Sequence, residues 1–480
     1  MGTTEGSKIA QGTRVGYYRQ DFSTLNFEDT IFDSLMAVME KHIEQEVAFS
    51  IGQVYADYLK SNDPKGTPNK VIVGRDIRLS SEELSVALIN GIISTGIDVL
   101  NIGLASSPHY NYASAHFNLP AILITASHMT KNFNGFKFVF SGNTILTDQH
   151  LAKIKEVALS DIKIPTSKAS GIVENTTILE EYIKEIRQFI KTPFKKLKIV
   201  MDAGNAMAGL SLEKIFEDTG LEIIPLYTTL DGNFPNHETN PKIAKNQIDL
   251  KRKIVEEKAD LGFMFDGDAD RFYAFDRSGD VIFPSYISAL MGRYLIRNYP
   301  GNEVVVEVRT SNVVRYVVEK AGGKVLVTKP WHIMIKLALT QNPDAVLGSE
   351  TSGHYIFRDF YKIDDGILAA VVFLQAISNE EKSVDDILDE FRKKYFIIEE
   401  TNFQFDNKTK QDQKLAEVEN YYKNQSMKIE KIDGISMSFD NWHFNLRSSE
   451  TDPVLRLNME ANSKELMEKK CKELADLIQK

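Results

Sequence analysis

The first segment that could do chemistry is TASHMTKNFNGFKF (125–138), which follows the apolar run AILI. It carries Ser127 with His128 beside it and Lys137 downstream. A neighbouring imidazole and ammonium could hold a phosphoryl group on the serine or move its proton. The small side chain of Ala126 predicts that Ser127 is accessible. Taken alone, the segment also fits an ordinary solvated turn.

The second segment, DGDADR, follows the apolar run LGFMF and has carboxylates at every second position: Asp266, Asp268 and Asp270. We expect them to point to one side of an extended loop, where they repel one another unless a cation is bound. Hard oxygen ligands suit Mg²⁺, which also shares its shell readily with phosphate. An EF-hand is excluded because Arg271 and Arg277 stand where its sixth and twelfth positions need Gly and Glu. A solvated acidic turn is the remaining alternative.

The third segment, GSETSGH (348–354), follows the apolar AVL. Its glycines allow an exposed turn, in which Glu350, Ser352 and His354 offer donors and acceptors for sugar hydroxyls and phosphate. A polar turn without a ligand is the alternative.

The fourth segment, RSSETDP (447–453), combines the fork of Arg447 with three hydroxyls and the backbone N–H groups of a turn. Such a combination can cradle a phosphate without a helix dipole. A capped turn fits the same residues.

The elements that must position these segments follow an α/β pattern, because short β-branched runs alternate with longer helical patterns. In open α/β sheets, ligands bind at the carboxyl ends of strands, which is where the first three segments lie. The stretch 71–84 predicts a strand, a loop and a helix that opens with a capping box from Ser80 to Glu83. At roughly 100–200 residues per domain, 480 residues predict three or four domains.

Composition excludes several classes of protein. Apolar residues make up 42% and charged residues 26%, and the net charge is 57 − 67 = −10, which disfavours a general nucleic-acid or anionic-membrane binder. The single cysteine, Cys471, cannot form an intrachain disulfide. The longest apolar run, Ile367 to Leu374, is well short of the ~18 residues of a membrane span, and the first residues lack the apolar core of a signal peptide. We therefore expect a cytoplasmic protein.

The four segments, in this order, resemble the α-D-phosphohexomutase superfamily and its phosphomannomutase/phosphoglucomutase branch. The likeness spans nearly the whole chain, and VGRDIRLSS (73–81), DGNFPNHETNP (231–241) and DDGILAAVVFL (364–374) look like the family's connecting motifs. The resemblance implies a heart-shaped protein of three similar α/β domains and a smaller C-terminal α+β domain around a central cleft. We place these domains at residues 1–172, 173–280, 281–392 and 393–480.

The resemblance also implies a role for each candidate residue. Ser127 would carry a phosphoryl group, and an oxygen of this phosphoserine would bind Mg²⁺ together with Asp266, Asp268 and Asp270. Lys137 matches the family's proton-transfer candidate, and His128 and Arg271 would lie beside the phosphoryl group. Glu350 and Ser352 would hold sugar hydroxyls. The remaining residues would clamp the non-reacting phosphate (Arg447, Ser448, Ser449 and Thr451) or line the cleft (Arg309, His332 and His354).

The implied activity is a Mg²⁺-dependent intramolecular phosphotransfer between hexose 1-phosphate and hexose 6-phosphate, of glucose, mannose or both. It would pass through a hexose 1,6-bisphosphate, which also serves as the activator. The implied partners are phosphorylated hexoses, with no nucleic acid or membrane, for a monomer or homodimer. The alternatives are a family member acting on a pentose phosphate or glucosamine phosphate, a synthase of the bisphosphate, and a catalytically weak sugar-phosphate-binding protein.

The chain departs from the family pattern in four places. Met129, Thr130 and Lys131 replace the family's Asn-Pro-Pro, and Phe22, Ser23 and Thr24 replace an Ile-Arg-Gly-like triplet. Trp331 stands where a Gly usually precedes the cleft His, and Asp452 stands where a Glu follows the clamp Thr. We expect these changes to affect the choice of substrate more than the reaction.

Overall fold

A computed structural model of the chain describes residues 45–158, 160, 163–449 and 453–479. The departures at Phe22, Ser23, Thr24 and Asp452, and the predicted phosphate ligand Thr451, lie outside the described residues. The described chain divides into two compact units. The first runs to Val281 and includes Ile363–Val371, and the second comprises Ile282–Lys362 and the residues from Val372 onward.

The first sheet of the first unit has the strand order β5-β4-β3-β1-β2-β6. Strand β1 pairs in parallel with β2 and β3, and β4 pairs antiparallel with β3, so the ends of β1, β2 and β3 lie at one edge. The strands are β1 (Lys70–Arg75), β2 (Asp98–Leu104), β3 (Ala121–Ile124), β4 (Phe136–Phe140), β5 (Thr144–Ile145) and β6 (Val173–Asn175). The helices are α1 (Gln45–Asn62), α2 (Ser81–Ser94), α3 (Ser107–Phe117) and α4 (Asp148–Ala158).

The second sheet has the order β11-β10-β9-β7-β8, in which β7 is parallel to β8 and β9. Every residue of β9 is buried, so the acidic segment that follows it begins at the boundary of the hydrophobic core. The strands are β7 (Lys198–Asp202), β8 (Glu222–Leu226), β9 (Leu261–Phe265), β10 (Phe272–Asp276) and β11 (Val281–Ile282). The helices are α5 (Leu179–Arg187), α6 (Leu212–Phe216) and α7 (Ile248–Glu257).

The third sheet contains β13, β12, β14 and β15 in that order, with β12 parallel to both β13 and β14. The next strands along the chain are β12 (Glu303–Glu307), β13 (Lys324–Thr328), β14 (Ala345–Ser349), β15 (Tyr355–Phe357) and β16 (Ile363–Asp364), of which β16 belongs to the first unit. The helices are α8 (Pro284–Asn298), α9 (Asn312–Lys320), α10 (His332–Gln341), α11 (Gly366–Ser378) and α12 (Val384–Arg392).

The fourth sheet is antiparallel, in the order β17-β21-β20-β19-β18. Its strands are β17 (Phe396–Gln404), β18 (Lys428–Glu430), β19 (Ile435–Ser438), β20 (Trp442–Ser448) and β21 (Val454–Ala461), with helices α13 (Lys408–Tyr422) and α14 (Lys464–Gln479). The chain forms three sheets whose strands alternate with helices, followed by an antiparallel sheet with two helices. This order confirms the predicted fold class of three α/β domains and a C-terminal α+β domain.

One local prediction was wrong. Helix α2 begins at Ser81 as expected, but Ser80 caps no backbone N–H, because its backbone already has helical angles (φ −81°, ψ −13°). Its hydroxyl accepts instead from Asn134 Nδ2 at 2.9 Å, which ties the start of α2 to the loop after Ser127. Across the described ranges, no helix has the length and apolar character needed to cross a membrane.

Candidate active site

The serine loop, defined as residues 125–135, joins the antiparallel strands β3 and β4. Ser127 lies just beyond the end of β3, and Lys137 lies on β4 in register with Leu123. A tight pair of strands therefore holds the predicted nucleophile and the predicted proton-transfer residue on one rigid element.

Ser127 has a left-handed backbone (φ 49°), a conformation that is unfavourable for residues other than glycine. Its hydroxyl oxygen lies 3.2 Å from His128 Nδ1 and donates to Asp266 Oδ2 at 3.2 Å. The residue is only 1% exposed, so the prediction of an accessible serine was wrong. The reason is the close approach of the acidic turn: a Cβ at Gly267 would lie 2.3 Å from the Ser127 carbonyl oxygen.

The acidic turn, residues 266–270, gathers three buried carboxylates. One oxygen from each of Asp266, Asp268 and Asp270 lies within 4.8 Å of the others. The predicted convergence is therefore present, but the predicted extended loop is not. The chain turns at Ala269, whose φ is 62° and whose N–H donates to the Asp266 carbonyl at 3.2 Å.

The electrostatics of the acidic turn favour a bound cation. Burial raises the pKa of Asp266 well above its ordinary value, and the charges of Asp270 and Asp268 raise it further. Arg271, whose Nε lies 3.6 Å from Asp266 Oδ2, and Lys137 act in the opposite direction. Nearby positive charge is therefore required to keep these carboxyl groups ionised.

Lys137 supplies part of that charge. Its Nζ donates to Asp268 Oδ2 at 2.7 Å, to Asp270 Oδ2 at 2.8 Å and to the hydroxyl of Ser107 at 3.0 Å. Ser107 in turn donates to Asp268 Oδ2 at 2.6 Å. Sequence reasoning missed Ser107, although its position just after β2 makes it a strand-end residue like those that were singled out.

The turn fits a divalent cation. Asp268 Oδ1 is buried and has no hydrogen-bond partner within residues 45–158, 160, 163–449 and 453–479, although its other oxygen has two. A buried charged oxygen without a partner is costly, and a hard cation such as Mg²⁺ would satisfy it. Asp266, Asp268 and Asp270 can supply the ligands, with the Ser127 hydroxyl adjacent to Asp266.

In the second unit, Arg309 follows β12 and is directed toward two carboxylates. It donates from Nε to Glu307 Oε1 at 3.0 Å, from its N–H to Glu307 Oε2 at 2.6 Å and from Nη2 to Glu350 Oε1 at 3.0 Å. Burial alone would raise the pKa of Glu307, but the charge and hydrogen bonds of Arg309, together with a hydrogen bond from the Thr351 hydroxyl, outweigh burial and lower the pKa. Glu307, which sequence reasoning missed, thus orients Arg309, and Arg309 orients Glu350.

Glu350 directly follows β14, in a tight turn closed by the bonds from its own N–H to the His354 carbonyl and from the Gly353 N–H to its carbonyl. Ser352 and His354 are buried in the same turn, and the rings of His354 and His332 lie 4.9 Å apart. The structure therefore brings these four predicted residues into one region of the second unit.

Arg447 and Ser448 are the last residues of β20, so they belong to a strand rather than to the predicted turn. Arg447 Nη2 donates to Glu400 Oε2 at 2.9 Å, whereas its Nε is buried and finds no partner in the part of the chain that the structure describes. Burial lowers the pKa of Arg447, and the positive charge of Arg309 lowers it further. Glu400, on β17, carries no local sequence signal, because only the pairing of distant strands brings it here.

Comparison with protein families gives four matches in chain order. Domains I, II and III of the phosphoglucomutase/phosphomannomutase α/β/α type match residues 33–164, 180–279 and 283–395. The C-terminal domain of the same family matches residues 400–477.

Similar proteins cover most of the chain. The phosphomannomutase of Vibrio cholerae is 35% identical over 452 residues, which span 91% of this chain and 95% of that protein. The phosphomannomutase/phosphoglucomutase of Pseudomonas putida is 32% identical, with 91% and 92% covered. A crystal structure of a family protein from Burkholderia thailandensis superposes with a TM-score of 0.80 at 28% identity and covers 92% of this chain and 95% of that one. By these four domain matches and this full-length similarity, the chain belongs to the phosphoglucomutase/phosphomannomutase family of the α-D-phosphohexomutase superfamily.

Proposed function

We propose that the protein is a Mg²⁺-dependent mutase that interconverts the 1-phosphate and the 6-phosphate of glucose, mannose or both. The observation that carries the proposal is the Ser127 hydroxyl 3.2 Å from Asp266, beside a buried cluster of three carboxylates. The names of the V. cholerae and P. putida relatives support the reaction and the two hexoses.

In the proposed reaction, Ser127 stores a phosphoryl group between turnovers. The oxygen of the free sugar hydroxyl bonds to phosphorus while the bond from phosphorus to Ser127 Oγ breaks, which gives a hexose 1,6-bisphosphate. The bisphosphate then exchanges its two ends, and its other phosphate returns to Ser127. The same bisphosphate, taken up from solution, would phosphorylate an enzyme molecule that has lost its phosphate.

The residues around Ser127 have distinct proposed roles. Lys137 moves the proton of the reacting hydroxyl, a role that its bonds to Asp268 and Asp270 help to orient. His128 and Arg271 flank the phosphoryl group and stabilise its negative charge. Asp266, Asp268 and Asp270, with an oxygen of phosphoserine 127, would hold Mg²⁺. When bound, this ion supplies further positive charge to the transferring group.

The second unit is proposed to recognise the rest of the substrate. The Glu350 carboxylate accepts hydrogen bonds from sugar hydroxyls, and the Ser352 hydroxyl donates to them or accepts from them. His332 and His354 lie close to these residues. Arg447, Ser448, Ser449 and Thr451 bind the non-reacting phosphate. The Nε of Arg447, which has no partner among the described residues, is a suitable donor for it. Arg309 is proposed to line the substrate site while it orients Glu350.

Further parts of the proposal concern the whole chain. We propose that the four domains span residues 1–172, 173–280, 281–392 and 393–480. We also propose that the protein is a cytoplasmic monomer or homodimer. The single cysteine and the ordinary composition support this location.

The experiment combines intact-protein mass with a substrate panel. Protein purified without phosphatase treatment should contain a fraction heavier by one phosphate, and glucose 1,6-bisphosphate should increase that fraction. The panel comprises the 1-phosphates of glucose, mannose, glucosamine and a pentose, assayed with Mg²⁺ and the bisphosphate.

Turnover of only the pentose or glucosamine phosphate would change the proposed substrate, and accumulation of bisphosphate would indicate a synthase. Tight binding of all four without turnover or phosphorylation would indicate a sugar-phosphate-binding protein.

A further inference from the structure

One buried arginine, Arg78, donates hydrogen bonds to the backbone of the serine loop. Arg78 follows β1 in the segment VGRDIRLSS and is 1% exposed. Its Nε donates to Asp76 Oδ2 at 3.0 Å, and its backbone N–H donates to Asp76 Oδ1 at 3.0 Å. Asp76 therefore determines the direction in which the guanidinium points.

The other four N–H groups of the guanidinium face backbone carbonyls of the serine loop. Nη2 donates to the carbonyls of Ser127 at 2.8 Å and Met129 at 2.7 Å. Nη1 donates to those of Thr130 at 2.7 Å and Phe133 at 3.2 Å. With Asp76 on Nε, all five donors of the side chain have partners.

A second loop, residues 231–241, covers this arrangement. The ring centroid of Phe234 lies 5.3 Å from the guanidinium carbon, a distance at which a cation and an aromatic ring attract each other. Thr239 Oγ1 also lies 3.4 Å from the Ser127 carbonyl oxygen. The loop approaches the Arg78 backbone closely, since a Cβ at Gly232 would lie 2.3 Å from the carbonyl oxygen of Ile77.

The serine loop needs such support because of its own sequence. Four of its carbonyls converge on the buried guanidinium of Arg78. The bond to the Ser127 carbonyl is buried and the other three are partly buried, and a carbonyl removed from water without a donor is unfavourable. Met129, Thr130 and Lys131 include no proline, so no pyrrolidine ring restricts the backbone there. Ser127 itself is held in a left-handed conformation.

We propose that Arg78 is a positioning residue that holds the serine loop, through its backbone, in the conformation that aims the Ser127 hydroxyl at the reacting phosphorus. Arg78 contacts the Ser127 carbonyl rather than the reacting atoms, and it acts on phosphoryl transfer more than on substrate binding. This inference rests on the proposed mutase function.

The test uses the full chain with Arg78→Lys and Arg78→Ala. Lysine keeps the charge but offers three donors without the planar fork, so it cannot serve Asp76 and four carbonyls together. A misplacement of about 1 Å can cost 100-fold in rate, so we expect Arg78→Lys to lower kcat by about 10- to 100-fold and to leave KM within about twofold. The phosphorylated fraction of Ser127 after exposure to glucose 1,6-bisphosphate should fall in parallel.

Arg78→Ala adds a chemical rescue. Millimolar guanidinium should restore part of the lost kcat in this variant, whereas methylammonium should restore much less, because only guanidinium reproduces the planar set of donors. If Arg78→Ala does not fold, the kcat, KM and phosphoserine content of Arg78→Lys are sufficient to test the positioning role of Arg78.

Arg187 provides a matched control, because its Nη1 donates to three backbone carbonyls at the end of α6, those of Lys214, Ile215 and Glu217. Arg187→Lys should change thermal stability but leave kcat and Ser127 phosphorylation unchanged. A wild-type kcat in Arg78→Lys, or a loss no larger than that in Arg187→Lys, would overturn the inference. Failure of the proposed function looks different, since the wild-type protein itself would then show neither mutase activity nor phosphorylation of Ser127.

Discussion

At the scale of single residues, Ser127 combines an unfavourable backbone with a hydroxyl directed at an acidic cluster. A left-handed conformation costs roughly 1–2 kcal/mol for an L-residue other than glycine. The hydrogen bond from Arg78 Nη2 to the Ser127 carbonyl helps to offset this cost. Such locally unfavourable conformations often occur at functional sites, which agrees with the proposed role of this serine.

Replacement of Ser127 by alanine tests that role. We expect Ser127→Ala to keep its fold, since only one oxygen is removed, and to lose kcat by at least about a thousandfold, because removal of a nucleophile raises the barrier by several kcal/mol. The variant should also show no phosphorylated species by intact mass. Melting curves of both proteins control for folding. A rate within about tenfold of the wild type would show that another group carries the phosphate.

Asp268 is the second decisive residue, because one of its oxygens is buried and no described residue donates to it. Asp268→Asn removes one negative charge from the acidic turn, so the affinity for Mg²⁺ should fall. Mg²⁺ that binds only the folded state raises Tm, and we expect this rise to be clear in the wild type and much reduced in the variant.

The measurement for Asp268 is a set of thermal melts across Mg²⁺ concentrations, with Asp280→Asn as the control. Asp280 is exposed and follows the turn before β11, away from the three clustered carboxylates. Equal Mg²⁺ dependence in Asp268→Asn and the wild type, in melting and in activity, would mean that the metal binds elsewhere.

At the scale of elements, the strand ends of the sheets place the site residues, while the helices behind them provide stability. Helices α1 and α2 pack closely enough that glycine is required at their contact. A Cβ at Gly91 would lie 2.0 Å from the carbonyl oxygen of Phe49, and a Cβ at Gly52 would lie 2.3 Å from that of Leu88. Both clashes involve backbone atoms, which cannot move aside as a side-chain end can.

We therefore expect Gly91→Ala to lower the free energy of unfolding by about 1–3 kcal/mol, because α1 must shift away from α2. The activity of the molecules that remain folded should stay close to that of the wild type, since the contact is not part of the proposed site. Urea denaturation followed by circular dichroism measures the change. Val86→Ala is the control on the same helix, because Val86 is 56% exposed. Equal stability of Gly91→Ala and the wild type would contradict the close packing.

At the scale of the whole molecule, the proposed work is divided between the two units. The nucleophile, Lys137 and the acidic turn belong to the first unit, and Glu350 and Arg447 belong to the second. The net charge of −10 does not exclude an anionic substrate, because Lys137 lies in the first of these sites, and Arg309 and Arg447 lie in the second. The choice of sugar should therefore be set by the second unit, independently of the chemistry at Ser127.

Glu350 makes this division testable. If it accepts hydrogen bonds from the 3- and 4-hydroxyls, glucose and mannose satisfy it equally, because they differ only at C2. Galactose inverts the 4-hydroxyl and leaves a charged acceptor short of one partner, at a cost of roughly 1.5–3 kcal/mol. We expect kcat/KM for glucose 1-phosphate and mannose 1-phosphate to lie within about tenfold of each other. That for galactose 1-phosphate should be about 10- to 100-fold lower.

The three sugars are compared with Mg²⁺ and glucose 1,6-bisphosphate present, in the wild type and in Glu350→Gln. The variant should discriminate less against galactose 1-phosphate and should still be phosphorylated on Ser127. If the kcat/KM of the wild type for galactose 1-phosphate equals that for glucose 1-phosphate, Glu350 does not bind the 4-hydroxyl.

The sequence by itself was enough to predict the α/β class and the strands before the reactive segments. Runs such as LGFMF are apolar throughout and are bounded by polar residues. Such a local pattern indicates a buried strand. The convergence of Asp266, Asp268 and Asp270 was also predictable, because three charges so close in sequence cannot separate widely. The tertiary structure corrected the shape, since the turn depends on a left-handed Ala269 that no apolar pattern indicates.

Only the tertiary structure decided which distant residues support these segments. Arg78 reaches the serine loop, Ser107 reaches Asp268 and Glu400 reaches Arg447 through pairings of separate elements. The same long-range packing buried Ser127, although its neighbours in the sequence suggested exposure. Local sequence encodes the strand or helix that each segment forms. The partners of a polar side chain, however, depend on which strand ends meet at one sheet edge, and that is a property of the folded chain.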